Sequence, residues 1–429
     1  MIKVVQGDKQ TCQAFVEDLK SRVGQTSPEI EQTVREIIAS VRERGDDAVK
    51  EYSKKFDGWT PENLELSRAD LEQAAAACAP AFIASLERAA ENIRAFHQRQ
   101  KQQSRIDPMP NGVITGQRVR GLHRVGVYVP GGTAGYPSSV LMNVIPAQVA
   151  EVGEIVMVTP PGRTGKPDPT ILAAAYISGV DRVFLMGGAQ AVAALALGTE
   201  SVPKVDKIVG PGNIFVATAK KQLYGVVDID MIAGPSEILI VADETANPRY
   251  LAADLMSQAE HDRMASAILI TPSREIAEKT VEEVYRQVKT LSRREIIEES
   301  LDRFGGVIVC ETMDEAVDFA NELAPEHLEV CAANPFEYIG RLDNAGSVFL
   351  GNYSPEPLGD YFAGANHVLP TGGTARFFSP LSVDDFIKKS SFIYYPQGEL
   401  QKAADDIIRL AETEELTAHA NSIRVRVEE

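Results

Sequence analysis

Between residues 121 and 350, short runs of β-branched and aliphatic residues alternate with helical patterns of 10 to 20 residues. The runs show almost no alternation of polar and apolar positions, which is typical of strands that helices cover on both faces. The pattern therefore predicts an α/β fold with largely parallel sheets. The runs are Val125–Val129, Ile155–Thr159, Arg182–Met186, Lys207–Val209, Ile238–Val241, Ile268–Thr271, Val307–Cys310 and Val348–Leu350.

The two ends of the chain are predicted to be helical. Ser27 and Pro28 have the N-cap and N1 residue types of a helix, and Gly45 ends the apolar pattern that follows them. A second amphipathic stretch covers residues 81–100, and a third covers the tail at residues 399–420. The apolar stripe of the tail must pack either on its own subunit or on a partner.

Length, charge and cysteine content narrow the class of protein. At ~150 residues per domain, the 429 residues suggest two or three domains. The net charge of −18 would repel phosphate backbones and anionic lipids, so nucleic acid and membrane are not expected as partners. No apolar run approaches the ~20 residues of a membrane span and the N-terminus is polar, so we expect a cytoplasmic protein. The four cysteines form no C-x-x-C pair, so any metal is expected to have nitrogen and oxygen ligands.

Four glycine clusters follow predicted strands, at the sheet edge where α/β proteins bind ligands. Glycine allows backbone amides to approach a phosphate, so the clusters suggest a nucleotide site. The nearest dinucleotide fingerprint, at Gly210 and Gly212, has Phe215 at its third glycine position. Tight strand-to-helix turns without a ligand are an equally good explanation of any one cluster. The clusters are 129–132, 186–190, 209–213 and 232–236.

Two pairs of polar residues have spacings that would let each pair act together, one in ion binding and the other in proton abstraction. Gln258 and His261 are three residues apart on a helix predicted to open at Asn247, so they face one side and suit an ion, with Asp254 as a rival for that role. Glu326 and His327 follow a proline that interrupts a helix, and a carboxylate beside an imidazole suits proton abstraction near neutral pH. The simpler alternatives are a surface histidine and a solvated pair at a helix end.

Residues 351–367 are too rich in glycine, proline and asparagine for a regular element, and a long polar segment of this kind is usually functional. Asp360 and His367 are its candidate residues. His419 stands near Glu414 in the helical tail, where both residues also fit a solvated surface. Together Gln258, His261, Asp360 and His419 would suit zinc, although nothing in the sequence alone brings them together.

The chain resembles histidinol dehydrogenase over nearly its whole length. The resemblance implies oxidation of L-histidinol to L-histidine by way of L-histidinal, the last steps of L-histidine biosynthesis, with two hydrides passed to two NAD molecules and one Zn²⁺ per active site. The matching segments are Gly126–Gly132, Gly210–Asn213, Ala233–Glu237, Ser257–Asp262, Ala324–Leu328, Gly359–Tyr361, Asn366–Pro370 and Leu416–His419.

The resemblance also implies the roles of particular residues. It implies Glu326 and His327 as the catalytic acid/base pair. NAD contacts are expected from Tyr128, Gln190 and Asn213. The implied zinc ligands are Gln258, His261, Asp360 and His419, and the implied substrate contacts are these four together with Ser236, His327, His367 and Glu414.

The implied fold has two incomplete Rossmann-like domains and small terminal pieces, in an intertwined homodimer with shared active sites. We expect residues 26–127 with 236–380 to form the first domain, which carries the metal and substrate residues. Residues 128–235 would form the NAD-contacting domain, residues 1–25 an N-terminal helical piece, and residues 381–429 a dimerisation tail. A zinc hydrolase would leave the glycine clusters without a role, and a non-catalytic two-domain binding protein would usually carry an export signal.

Overall fold

The computed structural model describes residues 2–6, 9–21, 27–59, 62–131, 135–162, 165 and 167–428. Gly132, the last residue of the first glycine cluster, lies outside these ranges. The strands are β1 (Lys3–Gln6), β2 (Glu65–Leu66), β3 (Arg105–Pro108), β4 (Ile114–Gly121), β5 (Arg124–Tyr128), β6 (Glu154–Thr159), β7 (Arg182–Leu185), β8 (Lys207–Val209), β9 (Asp228–Ile229), β10 (Glu237–Ala242), β11 (Ser266–Thr271), β12 (Gly305–Val309), β13 (His327–Cys331), β14 (Ser347–Leu350) and β15 (Ile387–Tyr394).

Helices fill most of the sequence between the strands. The α-helices are α1 (Lys9–Ser21), α2 (Pro28–Arg44), α3 (Asp46–Asp57), α4 (Arg68–Ala77), α5 (Pro80–Gln98), α6 (Pro137–Val149), α7 (Pro169–Ser178), α8 (Gly188–Leu197), α9 (Ile214–Leu223), α10 (Pro248–Ala259), α11 (Arg274–Gln287), α12 (Arg294–Arg303), α13 (Met313–Leu323), α14 (Glu356–Tyr361), α15 (Gln397–Thr413) and α16 (Thr417–Val427). Short 3₁₀ turns cover 288–290, 335–337, 339–341, 374–376 and 383–386. None of the helices in the described ranges is long and apolar enough to cross a bilayer.

The first sheet has the strand order β1-β12-β11-β10-β13-β14, and every neighbouring pair is parallel. Its central strands are buried, as the absence of polar alternation predicts. In register, Ile238 of β10 lies beside His327 of β13, which places the start of β13 against the start of β10. Strand β13 was not predicted from the sequence, although it lies inside the sheet.

The second sheet has the order β2-β7-β6-β5-β8-β9 and is parallel except for the short edge strand β2. Two largely parallel sheets with helices between their strands confirm the predicted α/β class with two Rossmann-like units. Strand β1, in the N-terminal piece that was expected to be helical, joins the first sheet. The chain then builds the second sheet and returns to the first sheet through residues 230–236, between β9 and β10.

The helices of the first hundred residues confirm the predicted helical pattern. Helix α2 begins at the expected cap, because the Ser27 hydroxyl accepts a hydrogen bond from the N–H of Ile30, and it ends at Gly45 with φ of 53°. Val34 and Ile37 are buried in one cluster with Phe184 of the second sheet. Helix α2 therefore packs with the second sheet. The division into residues 26–127 with 236–380 and residues 128–235 stays a prediction.

A third sheet joins strands that are far apart in sequence. Its order is β15-β4-β3, with antiparallel neighbours, and β15 pairs along its whole length with β4. Helices α15 and α16 follow this sheet and confirm a helical tail. Ile393 on β15 is 71% exposed and Leu410 on α15 is 67% exposed, so the C-terminal region presents apolar side chains to its surroundings.

Candidate active site

Glu326 and His327 are buried at the start of β13. Helix α13 stops at Ala324, whose φ of 52° turns the chain before Pro325. Glu326 is 7% exposed and His327 is 3% exposed. The pair therefore does not form a solvated cluster at a helix end, since strand pairing with β10 carries both side chains into the interior.

The neighbouring strand β10 orients both side chains. His327 Nδ1 lies 3.0 Å from the carbonyl oxygen of Glu237, which only accepts, so Nδ1 carries the proton and donates it. The backbone N–H of Glu237 donates to Glu326 Oε2 at 2.8 Å. His327 Nε2 is buried and has no hydrogen-bond partner among the described residues. In the neutral ring this atom carries the lone pair, so it suits a proton acceptor once the ring has lost its second proton.

Two carboxylates approach His327 from α14. Asp360 Oδ1 lies 3.6 Å from His327 Nε2, and Glu356 Oε1 lies 3.9 Å from the same atom. His327, Glu356 and Asp360 offer ligand atoms within 4.8 Å of one another, as a divalent ion would require. Helix α14 corrects the expectation that residues 351–367 contain no regular element. The prolines at 355 and 357 occupy its N-cap and first turn, where proline is tolerated.

The charges in this group shift one another's pKa values. Burial alone would lower the pKa of His327, but the carboxylates of Glu326 and Asp360 outweigh it and hold that pKa well above its ordinary value. Burial raises the pKa of Glu356 to about 8, with a further contribution from the charge of Asp360. Burial also opposes ionisation of Asp360, yet the neighbouring rings of His327 and His367 keep that pKa below the usual range.

His367 lies beside Asp360. Its Nδ1 atom is 3.0 Å from the carbonyl oxygen of Asp360, and its Nε2 atom is 3.4 Å from the hydroxyl of Ser139. Burial lowers the pKa of His367, so the ring is mainly neutral at pH 7. The structure thus brings together four of the residues expected at the site: Glu326, His327, Asp360 and His367.

Among the described residues, the expected zinc ligands His261 and His419 do not join the group of His327, Glu356 and Asp360. Gln258 is fully buried, and neither its amide oxygen nor its amide nitrogen has a hydrogen-bond partner in the described ranges. The helix expected to carry both Gln258 and His261 ends at Ala259, so His261 lies in the turn beyond it and is partly exposed. His261 does not belong to the group formed by His327 and Asp360. His419, on α16, is exposed, as is Glu414 just before it.

Three further acids near the site carry raised pKa values. Glu329 on β13 accepts a hydrogen bond from the N–H of Glu356 at 2.8 Å, and burial holds the Glu329 pKa well above its ordinary value. Burial raises the pKa of Asp254 to about 6. Burial also raises the pKa of Glu237 to about 8. Asp254, the rival ligand candidate, is partly buried and interacts with Glu329.

Ser236 immediately precedes β10 and is partly buried. Its carbonyl oxygen accepts a hydrogen bond from the N–H of Ser266, which fixes the start of β10 against β11. The next residue, Glu237, contacts both Glu326 and His327. Ser236 therefore lies one residue from the groups that orient the buried pair.

A cavity of about 1330 Å³ opens at the carboxyl ends of the second sheet, larger than the usual pocket of about 300–1,000 Å³ for a small molecule. Tyr128, Gln190 and Asn213 all line it. The Tyr128 hydroxyl accepts a hydrogen bond from the N–H of Gly188 at 2.9 Å, and burial raises the Tyr128 pKa to about 12. Gln190 Oε1 is buried without a partner among the described residues.

The turn after β8 shows why glycine is needed there. Gly210 has φ of 106°, and a Cβ atom at this position would lie 2.1 Å from the carbonyl oxygen of Tyr128. Asn213 ends the turn and caps α9, because its side-chain oxygen accepts hydrogen bonds from Phe215 and Val216. The glycines make a tight turn, as the simpler interpretation held, and that turn also lines the cavity.

Comparison with known proteins decides the family. The model of the histidinol dehydrogenase family matches residues 20–427. The histidinol dehydrogenase of Clostridium acetobutylicum is 54% identical over 426 residues, covering 99% of each chain. That of Bacillus anthracis is 52% identical over 425 residues, again covering 99% of each chain. The chain belongs to the histidinol dehydrogenase family.

A solved histidinol dehydrogenase shares the fold. The crystal structure of the enzyme from Elizabethkingia anophelis superposes with a TM-score of 0.94 at 37% identity, covering 100% of this chain and 98% of that chain. Membership of the histidinol dehydrogenase family confirms the resemblance seen in the sequence and makes the chain an oxidoreductase. It does not support a zinc hydrolase or a non-catalytic binding protein.

Sequence reasoning missed several site residues of this histidinol dehydrogenase family member. Three acidic residues were not predicted because no local spacing in the sequence indicates them: Glu237, Glu329 and Glu356. One signal was available: Glu329 is a charged residue inside the apolar run that became β13, and a buried charge in a strand requires a partner.

Proposed function

We propose that this chain oxidises L-histidinol to L-histidine by way of L-histidinal, with two NAD molecules as hydride acceptors and one zinc ion per active site. The reaction would complete L-histidine biosynthesis. The observation that carries the proposal is the buried Glu326–His327 pair. Glu237 orients both side chains, and His327 Nε2 has no hydrogen-bond partner among the described residues. Family membership supplies the substrate class.

The first oxidation uses His327. Its Nε2 atom takes the proton of the substrate hydroxyl, and bound NAD would accept the hydride that leaves the carbinol carbon, so that an aldehyde and protonated His327 would result. The hydrogen bond from Nδ1 to the Glu237 carbonyl keeps the ring in the tautomer that this transfer needs. Asp360, close to Nε2, stabilises the imidazolium that forms.

The second oxidation uses Glu326. Its carboxylate removes a proton from water and the resulting hydroxide adds to the aldehyde carbon, which gives a hydrate from which a second bound NAD would accept the second hydride. The product is a carboxylic acid. The N–H of Glu237 holds Glu326 Oε2 in place, so the carboxylate does not need to reorganise during the step.

The donor set fits a zinc ion. Gln258 is buried with an unpartnered amide, and Asp360 offers a carboxylate oxygen. We propose Gln258, His261, Asp360 and His419 as the ligands, with His419 from the partner of a homodimer. Bound zinc would anchor the imidazole and amine of L-histidinol. Ser236, His367 and Glu414 are the proposed further substrate contacts.

The cavity of the second sheet fits a dinucleotide. It lies at the carboxyl ends of parallel strands, where nucleotides bind in α/β proteins, and Tyr128, Gln190 and Asn213 line it. The buried, unpartnered Oε1 atom of Gln190 offers an acceptor for a donor group of NAD. We assign the cavity to NAD for these reasons.

The exposed positions of Glu414 and His419 support a dimer with shared sites. Both residues follow α15, whose Leu410 is exposed, and β15 presents further apolar side chains nearby in sequence. A second copy related by two-fold symmetry would cover these side chains and bring His419 to the partner's Asp360.

Titration of the purified chain with NAD and a chelator tests the proposal against its rivals. With L-histidinol, NADH should form, and the chelator should stop its formation. A zinc hydrolase would lose a hydrolytic activity on chelation and would form no NADH with any amino alcohol. A binding protein would bind ligand without turnover.

A further inference from the structure

A buried ion pair lies beneath the turn that lines the NAD cavity, and the reaction described above makes no use of it. Lys220 on α9 and Asp230 after β9 are 3% and 1% exposed at their side chains, and the Lys220 ammonium donates to Asp230 Oδ1. Burial of two charges is costly unless each one is well paired. Their contacts therefore show what the pair holds in place.

Both charges bind the backbone of Gly210. The Lys220 ammonium donates to the Gly210 carbonyl oxygen at 3.0 Å, and the N–H of Gly210 donates to Asp230 Oδ2 at 2.7 Å. The ion pair and the two backbone groups form a closed ring of hydrogen bonds. Asp230 also accepts a hydrogen bond from the N–H of Met231, at the start of the crossover to the first sheet.

The ring matters because glycine can adopt many backbone conformations, whereas this turn requires one of them. Gly210 has φ of 106°, and its close approach to the Tyr128 carbonyl leaves no room for a side chain at this position. Asn213 stands three residues further on, at the cavity wall. The orientation of the peptide groups at Gly210 therefore determines where Asn213 begins α9.

We propose that Lys220 and Asp230 are positioning residues that hold the turn from Gly210 to Asn213 in the conformation that binds NAD. This inference rests on the proposed use of NAD. The pair does not touch the cavity itself, so it acts through Gly210. Loss of either charge leaves the other one buried without its partner, and the turn then has to move to bring water or another group to it.

The test is the replacement Lys220→Met, which keeps the length of the side chain and removes its charge. In the described part of the chain, the Lys220 ammonium contacts Gly210 and Asp230. Isothermal titration calorimetry of the zinc-loaded protein should show NAD binding weakened at least about tenfold. L-histidinol binding, measured without NAD, and zinc content should match the parent protein.

The next residue provides the matched control. Lys221 lies on the same helix, is more than half exposed at its side chain, and pairs only at the surface with Glu31 at 3.4 Å. Lys221→Met should bind NAD as the parent does, because exposed pairs contribute little. Unchanged NAD affinity in Lys220→Met would overturn the inference, and so would an equal loss of NAD and L-histidinol binding, which indicates general damage.

A second variant covers the case in which Lys220→Met does not fold. Lys220→Met combined with Asp230→Asn removes both charges, so no unpaired charge is buried, but the ring around Gly210 is still broken. It should fold and bind NAD weakly, and full NAD affinity in it would overturn the inference. If the parent protein itself binds no NAD, then the proposed function fails, and that result is distinct from a normal affinity in the variants.

Discussion

Glu237 and Glu326 hold each other through reciprocal hydrogen bonds between neighbouring parallel strands. The N–H of Glu237 donates to Glu326 Oε2 at 2.8 Å, and the N–H of Glu326 donates to Glu237 Oε2 at 3.4 Å. The other oxygen of Glu237 accepts a hydrogen bond from the N–H of Gly372 at 3.1 Å. Glu237 therefore fixes the backbone of Glu326 through its carboxyl group and the side chains of the proposed acid/base pair through its own backbone.

The raised pKa of Glu237 predicts a dependence of stability on pH. Burial moves it from 4.5 to about 8, so the folded protein keeps a proton that the unfolded chain releases above pH 4.5. The corresponding stabilisation is complete below pH 4.5 and is lost as pH rises toward 8. The Glu237→Gln variant has no carboxyl group to ionise at this position. The free energy of unfolding of the native protein should therefore fall relative to that of Glu237→Gln as pH rises from 4.5 to 8.

Urea unfolding at a series of pH values measures this difference, since the free energy of unfolding follows from the denaturation midpoint. The exposed Glu62 provides the control, and Glu62→Gln should show no such change relative to the native protein. A constant difference between Glu237→Gln and the native protein from pH 4.5 to 8 would show that the carboxyl group is already ionised in the fold.

His327→Asn should lower kcat by roughly 10²- to 10⁴-fold, the usual effect of removing a positioned proton acceptor. Zinc content should stay at the native value, because His327 is proposed as a base and not as a ligand. His123→Asn, at an exposed histidine, serves as the control and should leave kcat unchanged. Loss of zinc from His327→Asn would instead place His327 among the ligands, as its proximity to Asp360 and Glu356 also permits.

Gln258→Leu should separate metal binding from folding. The native amide is buried without hydrogen-bond partners, so an apolar side chain of similar size should leave the stability of the metal-free protein equal or higher. Zinc content and activity should fall strongly, as should the activity of the native protein after chelation. Thermal unfolding and metal analysis provide the two readouts. Native zinc content in Gln258→Leu would remove Gln258 from the proposed ligand set.

Mixing two inactive variants tests whether the active sites are shared. His327→Asn and His419→Asn chains should each be inactive alone, and activity should return when they are refolded together. In a hybrid dimer with shared sites, one site carries both substitutions and the other carries neither. Hybrid dimers confirmed by mass spectrometry that stay inactive would show that each chain builds its site alone.

The sequence predicts the fold of this chain better than its site. Runs such as Ile268–Thr271 and caps such as Ser27 act locally, so the elements that they mark are present. Strand β15 escaped prediction because its partner β4 lies some 270 residues earlier, as the pairing of Ile387 with Gly121 shows. Its side chains are mostly exposed, so no continuous apolar run identifies it.

The site is harder to predict because its contacts cross between elements. Glu326 and His327 are adjacent in sequence, and their spacing already suggested proton transfer. Glu237 reaches them only through the register of β10 with β13, and no local pattern encodes that register. The family resemblance supplied the remaining candidates, and the positions of His261 and His419 relative to Asp360 stay predictions.

The most direct test of the account is the stoichiometry of the reaction. A limiting amount of L-histidinol, incubated to completion with the zinc-loaded protein and excess NAD, should yield two molecules of NADH per molecule of substrate, measured by absorbance. The same count with Glu326→Gln should fall toward one, because Glu326 is assigned to the aldehyde step. One NADH per L-histidinol from the native protein, or none, would contradict the proposed four-electron oxidation.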